Sequence, residues 1–214
     1  MVQLSPHTIQ FPNPLLAPND MPAAVGGDLS VARLMAAYQL SYFPWFSEGE
    51  PILWWSLNPR FVLPLNEVHV SRSLKRALRK DQFEFRFNTA FDVVIDTCAQ
   101  IPRSENNGTW ITSSMLSAYK QLHRTGHAVS LECWQNDVLV GGLYGVLVGR
   151  VFCGESMFTL VPNAGKAALV WGLAYLAQQG YALMDCQMET PHMAAFGGRM
   201  MARADLLPYL AIDL

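Results

Sequence analysis

The chain has 214 residues, 51% of them hydrophobic and 15% charged, with a formal net charge of −2. That composition excludes disorder, leaves room for a sizeable core and confines any nucleic-acid contact to a local patch. No run approaches the roughly 18 apolar residues of a membrane span, no basic and apolar leader opens the chain, and Cys98, Cys133, Cys153 and Cys186 lack Cys-x-x-Cys spacing, so the expectation is a cytoplasmic protein without metal.

Residues 1 to about 28 are rich in Pro and Asn and carry only short apolar runs. Gly26-Gly27-Asp28-Leu29-Ser30 punctuates the start of a helix over about 31–40. Next come Tyr42-Phe-Pro-Trp-Phe46 and Ile52-Leu-Trp-Trp-Ser56, dense aromatic blocks between Pro and Gly turns. They predict a small layer packed on something larger, with Trp45, Trp54 and Trp55 as interface core or as a ligand platform. A short strand over 61–65 marks a domain boundary. Ser71 or Ser73 then caps a helix in which Leu74 and Leu78 share one face. Arg72, Lys75, Arg76, Arg79 and Lys80 spread over the rest without acidic partners in the run, which points to a phosphate-backbone contact. An ordinary solvated helix face is the alternative.

Farther on, 83–87 alternates as a strand, 89–99 forms an amphipathic helix, and 103–108 is a polar loop. Thr112 caps a helix over 113–125 that Gly126 stops. Strands are predicted at 129–134, at 138–148 and from 151 onward, then a helix over 163–179 and a strand over 182–187. Helices among antiparallel-looking strands make the class α+β.

Two stretches stand out chemically. The Gly-rich hairpin from Gly141 to Phe158 tolerates so much Gly only where a bulge or a close approach requires it. It ends with Glu155 among Phe152, Met157 and Phe158, which reads as a binding pocket or as a core hairpin with a solvated Glu at its tip. In 182–187, strand alternation places Leu183, Asp185 and Gln187 on one face. A carboxylate and an amide there are costly to bury without partners, so they mark a site or an edge strand facing water. Other signatures fail. Gly165-Lys166 lacks the leading Gly and the hydroxyl residue of a P-loop, and Gly154-Glu-Ser-Met-Phe158 lacks the second Gly of a nucleophile elbow. His123 and His127 are separated by Gly126 and have no evident third ligand.

The blocks Phe43-Pro-Trp-Phe46, Ile52-Leu-Trp-Trp-Ser56, His69-Val-Ser-Arg-Ser73, Gly108-Thr-Trp-Ile-Thr112, Gly141-Gly-Leu-Tyr-Gly145, Phe152-Cys-Gly-Glu-Ser-Met-Phe158 and Asp185-Cys-Gln187 follow one another along nearly the whole chain. Together they closely resemble the bacterial leucyl/phenylalanyl-tRNA–protein transferases. The resemblance implies a small N-terminal domain, residues 1–62, packed on a GNAT-like (acetyltransferase-related) domain, residues 63–214. It implies transfer of Leu or Phe, and Met slowly, from aminoacyl-tRNA to the N-terminal Arg or Lys of acceptor proteins, marking them for degradation. No cofactor, metal or membrane is implied, and the protein is expected to act as a monomer.

On that reading Asp185 and Gln187 are the catalytic pair. Leu143, Phe152, Met157, Leu169 and Met184 line the donor pocket, and Glu155, Trp45 and Trp110 also bind substrate. Arg72, Lys75, Arg76, Arg79 and Lys80 hold the tRNA. Glu155 meets either the acceptor's cationic side chain or the donor's α-amino group. The chain departs from the family at Leu40-Ser41, where Arg-Gly is common, at Gly165, where Ser is usual, and at Gly172, expected behind the pocket, where bulkier residues are frequent. Two alternatives remain: an acetyl-CoA-dependent acetyltransferase, for which Val161-Pro-Asn-Ala-Gly165 is a poor pyrophosphate loop, and a non-catalytic module that binds tRNA or protein N-termini.

Overall fold

The Gly-rich run folds as the longest hairpin of the protein, β8 (Val138–Val148) and β9 (Val151–Thr159). The computed structural model describes residues 1–80, 83–101 and 110–211. The predicted polar loop at 103–108, and Gly108 and Thr109 of its neighbouring block, lie outside the described residues.

Around the hairpin, β5 (Arg60–Pro64), β6 (Glu84–Phe87), β7 (Ala128–Gln135), β10 (Leu183–Asp185) and β11 (Arg199–Met201) complete a seven-stranded sheet in the order β11-β5-β10-β9-β8-β7-β6. Its pairs are antiparallel except β9–β10, which is parallel. A second sheet, ordered β1-β2-β4-β3, joins β1 (Val2–Leu4), β2 (Pro22–Gly26), β3 (Phe43–Pro44) and β4 (Leu53–Trp55). Both sheets are thus mixed. The Pro-rich opening segment contributes two strands that its short apolar runs did not announce.

Seven α-helices are present among the described residues: α1 (Val31–Gln39), α2 (Arg72–Lys80), α3 (Phe91–Gln100), α4 (Ser113–Arg124), α5 (Ala164–Gln178), α6 (Pro191–Ala194) and α7 (Arg203–Leu210). Their starts follow local chemistry. Ser71 Oγ accepts from Leu74 N–H at 3.2 Å, and Thr112 Oγ1 accepts from Met115 N–H at 3.3 Å. Such caps contribute about 0.5–2 kcal/mol each. α3 has no capping side chain of its own. Instead the buried carboxylate of Glu132, on β7, accepts from Thr89 N–H at 2.8 Å and Ala90 N–H at 2.7 Å.

The large sheet is apolar on both faces. On one side Val146, Val151 and Cys153 pack with residues of α3, α4 and α1 and with Trp54 of the small sheet. On the other, Leu143 and Phe152 pack with Leu169 and Leu173 of α5. A Cβ at Gly141 would strike the backbone of Ala164 and Gly165 at 2.5–2.6 Å, so this glycine lets the start of α5 lie directly on β8. Gly172 is the correction on this face. A Cβ there would strike the side chain of Leu131 on β7, so the space above Gly172 is already filled by the core and does not enlarge a pocket. Leu131 itself is fully buried.

A candidate active site where the sheet parts

β9 and β10 are paired for three residues only, Leu183–Asp185 opposite Val151–Cys153. β9 continues to Thr159 while the chain after Asp185 turns away, so the sheet opens between them. Two hollows meet in the opening. The first, about 210 Å³, is walled by Leu143, Met157, Leu169 and Met184, with Met193 and His192 also facing it. The second, about 310 Å³, is walled by Phe43, Trp45, Trp110 and Met188. Glu155, Cys186, Gln187 and Thr190 border both. A cavity of about 150 Å³ holds benzene, so the first has room for a branched or aromatic side chain.

The turn after β10 sets the site's backbone. Asp185 Oδ1 accepts from Gln187 N–H at 2.9 Å, the contact of an Asx-turn, and Gln187 takes a left-handed φ of 57°. Gln187 therefore does not continue the strand, as alternation over 182–187 predicted; it reaches the junction through the turn. Its side-chain Nε2 is buried and has no hydrogen-bond partner among the described residues. Non-Gly residues held in this region cost of order 1–3 kcal/mol and concentrate at functional sites.

Asp185 is buried, and Oδ2 accepts from Arg60 Nη1 at 2.8 Å. Arg60, on β5, also donates to Ser41 O, and its guanidinium stands 5.0 Å from the centre of the Phe43 ring. One buried cation thus ties the turn after β10 to the aromatic segment. Burial raises the Asp185 carboxyl above its ordinary value, against the pull of Arg60 and of Gln187 N–H.

Glu155 occupies a β-bulge. Tyr144 pairs with Ser156 and Gly145 with Gly154, leaving Glu155 as the extra residue. A bulge re-aims side chains, and here it turns the carboxylate toward α1 and α4. Tyr38 Oη donates to Oε1 at 2.7 Å, and Tyr119 Oη, hydrogen-bonded to Tyr38 Oη, stands 3.3 Å from Oε2. Burial pushes the Glu155 carboxyl up to about 7, opposed first by the Tyr38 hydrogen bond and reinforced by the charge of Asp185.

Of the residues singled out by sequence, Gln187, Glu155, Trp45, Trp110, Leu143, Met157, Leu169 and Met184 line the two hollows, whereas Asp185 lines neither and lies buried behind the turn, where it accepts from Gln187 N–H. Phe152 does not line either hollow. It is fully buried, and its ring fills the space left by Gly145. Arg72, Lys75, Arg76, Arg79 and Lys80 are exposed on α2. Trp54 is core: it is fully buried, with Nε1 donating to Gly26 O at 2.9 Å. His123 is structural as well, stacked on Phe91 at 4.3 Å. Among the described residues no group of three or more His, Cys, Asp or Glu is placed to hold a metal, and no helix is long and apolar enough to cross a membrane. Sequence reasoning passed over Arg60, Tyr38, Tyr119 and Thr190 and gave Cys186 no part in the site.

Comparison with known proteins identifies the family. The profile of the leucyl/phenylalanyl-tRNA protein transferase family matches residues 62–211, and that of the family's N-terminal domain matches residues 27–58. The chain is 52% identical over 214 residues to the leucyl/phenylalanyl-tRNA–protein transferase of Pectobacterium carotovorum, covering 99% of this chain and 90% of that protein. It is 50% identical over 214 residues to that of Pectobacterium atrosepticum, with the same coverage, and 49% identical over 215 residues to that of Klebsiella pneumoniae, covering 99% of this chain and 90% of that one. Among solved structures, that of L-PGS from Bacillus licheniformis has a TM-score of 0.44 at 10% identity, covering 77% of this chain and 55% of the other, too remote a likeness to define the fold. The chain belongs to the leucyl/phenylalanyl-tRNA–protein transferase family.

Proposed function

We propose that the protein moves Leu or Phe, and Met slowly, from aminoacyl-tRNA to the N-terminal Arg or Lys of acceptor proteins, marking them for degradation. The observation that carries this reading is the junction itself. An apolar chamber walled by Leu and Met meets an indole-walled hollow at Glu155 and Gln187. The donor's side chain enters the first and its terminal adenosine lies against Trp45 and Trp110 in the second, which leaves the ester carbonyl at the junction. The early parting of β9 from β10 supports a GNAT-like scaffold, residues 63–214, that receives an acyl donor in the gap. Residues 1–62 make up the small N-terminal domain of this reading, its last three residues already within β5 of the large sheet, and they supply Trp45.

The ester is already activated, so the protein need only position, deprotonate and stabilise. An N-terminal amine has a pKa of about 7.7–8.0, so part of it is neutral near pH 7. The Gln187 side-chain carbonyl accepts from the attacking amine, and its otherwise unpartnered Nε2 donates to the developing oxyanion. Asp185, held by Arg60, takes the proton that the amine sheds. Nitrogen bonds to the carbonyl carbon, the tetrahedral adduct collapses, the bond to the tRNA 3′ oxygen breaks, and that oxygen receives the proton. Glu155 faces the α-ammonium of the donor, because it borders both hollows where the carbon beside the carbonyl must lie. The exposed cations of α2 hold acceptor-stem phosphates.

Incubation with labelled Leu-tRNA and an Arg-initiated peptide tests the proposal. The expected product is the peptide extended by Leu at its N-terminus. Labelling from acetyl-CoA in place of Leu-tRNA, or tight tRNA binding without product, would contradict it.

A further inference from the structure

A third cavity, about 200 Å³, lies beside the apolar chamber and shares His192 with it. Its polar lining consists of His69, Ser71, Ser73, Asn163, Lys166 and His192, and among the described residues no carboxylate faces it. The hydroxyls of Ser71 and Ser73 stand 3.0 Å apart. His192 Nε2 is buried and has no hydrogen-bond partner among the described residues. A buried imidazole nitrogen left unpaired calls for an explanation. After burial, the charge of Lys166 is what depresses the pKa of His192, so the ammonium's field reaches into the cavity. One cation, two hydroxyls, two imidazoles and an amide around a hollow without acidic groups suit a compact anion with several acceptor oxygens. The first turns of α2 and α5 border the cavity too, and first-turn amides have no acceptor within their helix.

We infer that this cavity holds a backbone phosphate of the tRNA's single-stranded 3′ end, an inference that rests on aminoacyl-tRNA being the donor. Position argues for this source over free phosphate. On one side the cavity adjoins the chamber for the donor's side chain. On the other it borders the start of α2, whose exposed Arg72, Lys75, Arg76, Arg79 and Lys80 make no ion pair among the described residues. A strand descending along α2 meets the cavity before it meets the acyl chamber. The site also accounts for the block His69-Val-Ser-Arg-Ser73 and for Lys166, which no P-loop geometry explained.

The test measures binding of three probes to the intact protein over a series of salt concentrations. They are Leu linked to adenosine by a stable amide, the C-C-A trinucleotide carrying the same Leu amide, and inorganic phosphate. The trinucleotide should bind about tenfold tighter than the adenosine form, with a log–log salt slope steeper by roughly 0.7 for each phosphate neutralised. Lys166→Met, an exposed change on the first turn of α5, should erase most of that gain and about 0.7 of the slope while leaving the adenosine form unaffected. If the adenosine form binds but the trinucleotide gains nothing, and Lys166→Met changes neither, the phosphate site is overturned and the donor assignment stands. Inorganic phosphate binding that depends on Lys166, without any trinucleotide gain, would overturn the tRNA assignment of the cavity. If neither nucleotide probe binds, the donor assignment fails and this inference fails with it.

Discussion

Arg60 Nη1 donates to Asp185 Oδ2 at 2.8 Å across a separation of 125 residues, and both side chains are buried. The pair joins β5 to the turn that presents Gln187, and through Ser41 O it reaches the aromatic segment as well. Removing one partner of such a pair leaves an uncompensated buried charge and costs about 3–5 kcal/mol. Arg60→Met should therefore lower unfolding stability by about that amount in urea. The double variant Arg60→Met with Asp185→Leu should recover most of it, since an apolar replacement of both partners is often neutral. A single-variant loss below about 1 kcal/mol would mean that the carboxylate relaxes into water, and that the turn at Gln187 does not depend on the pair.

Glu155 supplies a pH signature. Its carboxyl sits at about 7 in the folded protein against an ordinary 4.5. The native state therefore binds the extra proton between those values, and this contribution to stability is full below 4.5 and lost as pH rises through 7. Glu155→Gln should gain stability relative to wild type on going from about pH 5 to about pH 8, by up to about 1.4 kcal/mol per unit of pKa separation. Thermal melts of both proteins at the two pH values give the difference directly. Affinity for a Leu-adenosine amide, whose ammonium prefers the ionised carboxylate, should fall as pH drops below about 7 in wild type, and less so in Glu155→Gln. An affinity profile of equal slope in both proteins would place the ammonium elsewhere.

The size of the apolar chamber rests partly on a glycine. A Cβ at Gly154 would strike Met184 Cε, the mobile end of a flexible side chain. Gly154→Ala should push Met184 into the chamber and leave the sheet intact. One methylene's worth of space amounts to about 1–3 kcal/mol, so kcat/KM with Phe-tRNA should fall about tenfold or more relative to Leu-tRNA. Equal losses for both donors would show that the chamber does not sort them by size.

Much of the fold was legible because its signals are local. The hairpin strand 138–148, the caps at Ser71 and Thr112 and the helix before Gly180 follow from β-branched apolar runs, hydroxyl placement and glycine punctuation. The bulge at Glu155 was not, because alternation flanked by glycines reads alike with or without one extra residue. Asp185-Cys-Gln187 was read as a strand, yet an Asp bonding to the amide two residues on makes a turn of the same three residues. Arg60 and the two tyrosines reach the site through tertiary packing alone, over 125, 117 and 36 positions, and no spacing rule announces them. Ser41 is instructive. It takes a φ of 60°, held by a 2.8 Å hydroxyl contact with Ser56. Its turn carries the carbonyl bound by Arg60.

The central claim is that the turn after β10 performs aminoacyl transfer, with Asp185 receiving the proton beside Gln187. Single-turnover transfer from saturating Leu-tRNA to an Arg-initiated peptide tests it most directly, comparing wild type with Asp185→Asn and checking each protein for folding by near-UV circular dichroism. General-base assistance is worth about 10²–10⁴-fold, so Asp185→Asn should lose about that much in rate while its affinity for Leu-tRNA stays nearly unchanged. A folded Asp185→Asn protein that transfers Leu within about threefold of the wild-type rate falls far short of such a contribution and would contradict the account.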